Sequence, residues 1–142
     1  MSQAKNAPMA LLVEDDELIR MALALPLRNA GLGVIAVASA DAAIDALTKG
    51  GNISVVITDV KMPGSIDGIG LARWMRAHSP NVPIVLVSGY PFTSDLAAIN
   101  PAIAIIVKKP YEPDEVVGWV ESLVHQPGVR GHERDTSAPD AT

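Results

Sequence analysis

The hydrophobic pattern alternates between two kinds of segment. Five short apolar runs, Ala10–Val13, Val34–Ala38, Ile53–Thr58, Ile84–Val87 and Ile103–Val107, show no polar/apolar alternation. All but the first are rich in valine and isoleucine. Such runs are expected of strands covered on both faces, as in a parallel sheet. Between them lie stretches with helical spacing. Glu17–Asn29 is stopped by Gly31, and Ala40–Lys49 has Ser39 as its N-cap and Gly50-Gly51 at its end. Asp67–His78 ends before Pro80, a short Thr93–Ile99 stops before Pro101, and Glu112–His125 carries Pro113 in its first turn. Five strand–helix units imply an α/β fold: a five-stranded parallel sheet with helices on both faces, in three layers, with right-handed crossovers. Pro26 lies inside the first helical pattern, where it is expected to remove one backbone bond and kink the helix.

Composition narrows this picture. The chain has 142 residues, of which 49 % are apolar, enough for one domain with a substantial core. The domain is expected over residues 8–126. Residues 127–142 contain a single strongly apolar side chain, Val129, and read as a disordered tail. There is no cysteine, which removes disulfides and thiolate metal sites from consideration. The apolar run Met9–Val13 is too short for a secretory leader or a membrane span, so a cytoplasmic location is expected. A net charge of −5 with no basic run argues against direct binding to nucleic acid.

The chemistry gathers after the strands. In an open parallel sheet, ligands bind beyond the carboxyl ends of the strands. Glu14, Asp15 and Asp16 follow the first run, Asp59 the third, Ser88 the fourth, and Lys108, Lys109 and Pro110 the fifth. Two carboxylates about 5 Å apart repel by roughly 3 kcal/mol at an effective dielectric near 20. A divalent cation relieves this repulsion, and hard oxygen donors favour Mg²⁺. Asp59 is then the candidate nucleophile, a lysine opposite the metal stabilises phosphoryl charge, and a hydroxyl bonds a further oxygen. Each residue alone has a plainer reading. The first acidic cluster would suit a helix start, and Asp59 would suit a turn before Met62-Pro63-Gly64.

Four stretches, "LLVEDDELIR", "VVITDVKMPG…DG", "IVLVSGY" and "VKKPY", occur in this order, each at a strand end. Together they resemble the receiver domain of two-component response regulators, over roughly Ala10 to His125. The resemblance implies a flavodoxin-like sheet. It also implies Mg²⁺ held by Glu14, Asp15, Asp59 and the backbone carbonyl of Lys61, a phosphorylated Asp59, a switch hydroxyl at Ser88 and an essential lysine at Lys109. It implies a histidine kinase or histidine phosphotransfer protein as phosphoryl donor. Two departures stand out. The loop "PGSIDG" is one residue longer than usual, and the position three before Lys109, commonly an aromatic switch, is Ile106.

The remaining readings concern surfaces. The first helix has more apolar residues than one buried stripe requires, which points to a docking face. Trp74 and Trp119 read as packing residues, and the three histidines lack metal spacing. Lys61 and Tyr90 are expected over the pocket mouth, where neither positions water well against an acyl phosphate. The leading reading is a stand-alone receiver, a monomer or weak dimer that acts through a separate output protein and is not itself an enzyme. An aspartyl-phosphate phosphatase or phosphotransferase on a related sheet, and a phosphorylation-silent binding module, are the alternatives.

Overall fold

The computed structural model describes residues 7–89 and 98–125. In chain order its elements are β1 (Met9–Val13), α1 (Glu17–Asn29), β2 (Gly33–Val37), α2 (Ala40–Thr48), β3 (Ile53–Asp59), α3 (Gly68–His78), β4 (Ile84–Ser88), β5 (Ile103–Lys108) and α4 (Pro113–Val124). Of the expected short helix Thr93–Ile99, only the end is described, and Ala98 and Ile99 are helical there. The rest of that helix, Tyr90 and the tail from Gln126 lie outside the described residues.

All strand pairings are parallel, in the order β2-β1-β3-β4-β5. This is the flavodoxin-like order. From β1 the chain builds first to one side and then to the other, which opens a crevice beyond the carboxyl ends of β1 and β3. The unbroken apolar runs follow from the two-sided burial. Ala10 and Leu12 point into a core shared with Leu23 and Leu27 of α1 and Val116 and Val120 of α4. Leu11 and Val13 point to the opposite core, with Ala43 of α2 and Leu71 and Met75 of α3.

The expectation that every strand is covered on both faces needs correction at the edges. β1, β3 and β4 are almost wholly buried, but β2 and β5 are mostly half-buried, with Ala36, Ala104 and Lys108 exposed. Each edge strand has a neighbour on one side only, so the helices cover it incompletely.

α1 begins on Asp16, whose Oδ1 accepts hydrogen bonds from Leu18 N at 2.9 Å and Ile19 N at 3.2 Å. The helix continues through Pro26, whose carbonyl accepts from Ala30 N at 3.1 Å. It buries Leu23, Ala24 and Leu27 and leaves Leu18, Met21 and Leu25 exposed at 77, 59 and 61 %. The apolar excess therefore forms a solvent-facing stripe. Trp74 is half-buried and stacks on His78, with ring centroids 4.3 Å apart, while Trp119 is 37 % exposed.

Candidate functional site

Three backbone latches set the site. Beyond β1, Glu14 N donates to Val37 O of β2 at 3.0 Å. Beyond β3, Val60 N donates to Val87 O of β4 at 3.0 Å. Beyond β5, Lys109 N donates to Ser88 O of β4 at 2.8 Å. The residues that follow β1, β3 and β5 are thus each held by a neighbouring strand, and their side chains start from fixed points on the same sheet edge. The chain then turns at Met62-Pro63-Gly64, where Gly64 has φ 109°, a conformation that favours glycine.

The side chains converge. One carboxylate oxygen from each of Glu14, Asp15 and Asp59 lies within 4.8 Å of the others. Glu14 and Asp59 are buried, and Asp15 is exposed. Lys109 Nζ donates to Asp59 Oδ2 at 2.7 Å, and Lys61 N approaches Asp59 Oδ1 at 3.4 Å. Ser88 is buried at the end of β4. Ile106 is half-buried on the α2–α3 side of the sheet, in register with Leu86. Lys108 and the side chain of Lys61 are exposed.

The acidic triplet sorts itself by hydrogen bonding. Asp16 spends its carboxylate on the start of α1 and its backbone N–H on Glu14 Oε2, at 2.9 Å. Asp16→Ala should therefore cost about 1 kcal/mol of stability, as a lost N-cap does. It should leave magnesium affinity unchanged, since the side chain faces the helix. Urea midpoints and a magnesium titration check both halves.

Electrostatics mark Glu14. Burial is the largest cause that pushes its carboxyl up, to about 7, and the Asp59 charge and a hydrogen bond with Asp15 add to it. The Asp16 N–H and the Lys109 charge act in the opposite direction. Carboxylate oxygens within 4.8 Å repel by about 3 kcal/mol or more at an effective dielectric near 20, and Lys109 offsets part of that. The donor set is oxygen only, partly buried and open at Asp15. It fits a hard divalent cation that keeps several waters, as Mg²⁺ does.

Three contributors were given no role in the site by sequence reasoning, although Arg20 served to align the acidic pair to Glu14 and Asp15. Arg20 Nη1 donates to Glu14 O at 2.7 Å and ties α1 to the acidic loop. Tyr111 is half-buried, and its hydroxyl is raised by burial and then by the Glu14 and Asp59 charges. Gly68 packs on the backbone of Asp59. All three lie in the stretches quoted above, "LLVEDDELIR", "VKKPY" and "VVITDVKMPG…DG", but their contacts across the fold leave no local signal.

Comparison with known proteins agrees with this geometry. Residues 10–121 match the response regulator receiver domain. The transcriptional regulatory protein FixJ of Bradyrhizobium diazoefficiens is 33 % identical over 115 residues, covering 80 % of this chain and 55 % of FixJ. The response regulator FleR of Pseudomonas aeruginosa is 37 % identical over 107 residues, 75 % of this chain and 22 % of FleR. The chain thus spans about half the length of the first relative and less of the second. Among solved structures, a response regulator receiver protein from Sinorhizobium medicae superposes with a TM-score of 0.74 at 31 % identity, covering 86 % of this chain and 98 % of that one. The response regulator TrrA of Thermotoga maritima, solved in complex with Mg(2+)-BeF, gives 0.71 at 25 % identity, covering 82 and 98 %. With its parallel sheet, its acidic crevice and a match over residues 10–121, the chain belongs to the response regulator receiver domain family of two-component systems.

Proposed function

We propose that Asp59 accepts a phosphoryl group from the phosphohistidine of a histidine kinase or histidine phosphotransfer protein. The reaction is magnesium-dependent and cytoplasmic, and the signal passes by conformational change to a separate output protein. One observation carries this reading: Asp59 sits 2.7 Å from Lys109 Nζ and shares a 4.8 Å cluster with Glu14 and Asp15. This arrangement supports reading Asp59 as a nucleophile between the Lys109 cation and a candidate cation site.

In the transfer, an Asp59 carboxylate oxygen forms a bond to phosphorus as the phosphorus–nitrogen bond breaks. The electron pair of that bond returns to the imidazole ring. Lys109 is placed to hold a phosphoryl oxygen, and Ser88 to bond another. Glu14, Asp15, Asp59 and the Lys61 carbonyl would hold the metal, which when bound supplies charge neutralisation for the phosphoryl oxygens. TrrA was solved in complex with Mg(2+)-BeF, which supports magnesium binding by this chain. The product adds about −1.5 to −2 charge beside Lys109. Movement of Ser88 toward it vacates space that Ile106 fills with an aliphatic group. The Leu18, Met21 and Leu25 stripe begins two residues from Asp16 and offers a face on which a protein partner reaches the pocket. At the rim, the exposed Lys61 side chain offers donors but no acceptor for a water proton, which favours a long-lived phosphorylated form.

Incubation with acetyl phosphate and magnesium, followed by intact mass, tests the proposal. One stable phosphoryl group per chain is expected. Phosphate release without an adduct would instead support an aspartyl phosphatase, and no reaction would support a silent module.

A further inference from the structure

The turn after Asp59 brings the first residue of α3 back against the backbone of the nucleophile. Gly68 is buried there, and its N–H donates to Val60 O at 2.9 Å. A Cβ built on Gly68 would fall on the Asp59 carbonyl oxygen. It would also stand 2.9 Å from Val60 Cα and 3.0 Å from the Asp59 carbonyl carbon. All three are backbone atoms, so no rotamer change makes room. The φ of Gly68 is not in the left-handed region, so this position demands space and not an unusual dihedral.

The backbone it touches is held on its other side as well. Val60 N donates to Val87 O of β4 at 3.0 Å. The Asp59–Val60 segment is therefore clamped between β4 and the start of α3. The same short stretch sets the direction of the Asp59 carboxylate, carries the Lys61 N–H at 3.4 Å from Asp59 Oδ1, and carries the Lys61 carbonyl.

We propose that Gly68 is a positioning residue for phosphoryl transfer: its missing side chain lets α3 clamp the Asp59–Val60 backbone, and the clamp aims the Asp59 carboxylate and the Lys61 carbonyl together. A side chain at this position must displace either α3 or the nucleophile's own peptide. Misplacement by about 1 Å is enough to cost on the order of a hundredfold in rate. The proposal rests on the phosphoacceptor reading above.

Gly70 supplies the matched control. It lies in the same turn of α3, but the nearest atoms a Cβ there would meet outside its own helix backbone are side-chain atoms, Ile66 Cγ2 at 2.7 Å and Asp67 Oδ1 at 3.6 Å. Ile66 is half-buried and its side chain can move. In the full chain, Gly68→Ala should slow phosphorylation by acetyl phosphate at least about tenfold at saturating magnesium and shift the magnesium midpoint upward. Gly70→Ala should react at the wild-type rate. A Gly68→Ala protein that loses stability in urea but keeps both the wild-type rate and magnesium midpoint would overturn the proposal, because the glycine would then serve the fold alone. Should Gly68→Ala not fold, the wild type decides. Magnesium alone should shift the Gly68 amide resonance more than that of Gly70, and an unmoved Gly68 amide would overturn the clamp. The magnesium readout needs no phosphorylation, so a wild type that fails to phosphorylate sinks the phosphoacceptor reading and leaves this test decisive.

Discussion

Asp59→Asn is expected to abolish phosphorylation completely while the fold stays intact. The amide is nearly isosteric with the carboxylate, and its oxygen can still accept from Lys109 Nζ, which now donates to Oδ2 at 2.7 Å. The nucleophile is gone, because an amide oxygen does not form a stable acyl phosphate. Stability without metal should hold or rise. Removing one partner of a fully buried pair would strand a charge, but the Lys109 side chain is 34 % exposed and stays solvated. The substitution also removes the negative charge that helps raise the Glu14 carboxyl. Intact mass after acetyl phosphate treatment checks the first claim, and urea midpoints in metal-free buffer check the second. Phosphate on any other residue of the wild type would overturn the assignment of Asp59.

How far the sequence reached depends on which force sets each feature. The three inner strands and the pocket edge were legible because two-sided burial writes an unbroken apolar run, and the polar residue that ends each run must fall at the same sheet edge. Glu14, Asp15, Asp59, Ser88 and Lys109 all arise this way, and the structure brings the acids and Lys109 to one crevice. The edge strands form as expected, but their burial was overestimated for the same reason. Val34 and Ile35 look like core in the sequence, yet β2 is half-covered because it has no outer neighbour. What stayed hidden depends on contacts between distant segments. No local pattern shows that Arg20 reaches back to the Glu14 carbonyl, that Tyr111 stands near two carboxylates, or that Gly68 must lie on Asp59. The fate of Asp16 was hidden too. Its neighbours Glu14 and Asp15 share its chemistry, and only the helix start behind it decides that its carboxylate caps α1.

The wild-type protein, freed of metal, should lose stability as pH rises from about 5 to 8. Glu14 carries the effect. Its carboxyl is raised from 4.5 to about 7 in the folded chain, chiefly by burial. Between those values the folded state holds a proton that the unfolded state has released. Stability therefore falls as pH rises, from just above the unfolded value until the folded value is passed. Glu14→Gln keeps the shape and removes the titration. At pH 8 it should be more stable than the wild type by on the order of 2 kcal/mol, discounted from the full shift because the pocket opens to water at Asp15. Near pH 4.5 the two should be alike. Added magnesium should reverse the trend in the wild type, since the metal binds the carboxylate form and its stabilisation grows as the proton leaves. In Glu14→Gln that growth should largely vanish. Urea midpoints at pH 5, 6, 7 and 8, with and without magnesium, separate these effects from the titration of other groups, because both proteins share that background. Equal pH slopes for the two proteins in metal-free buffer would show that Glu14 titrates alike in the folded and unfolded states and overturn the assignment of this pH dependence to its burial.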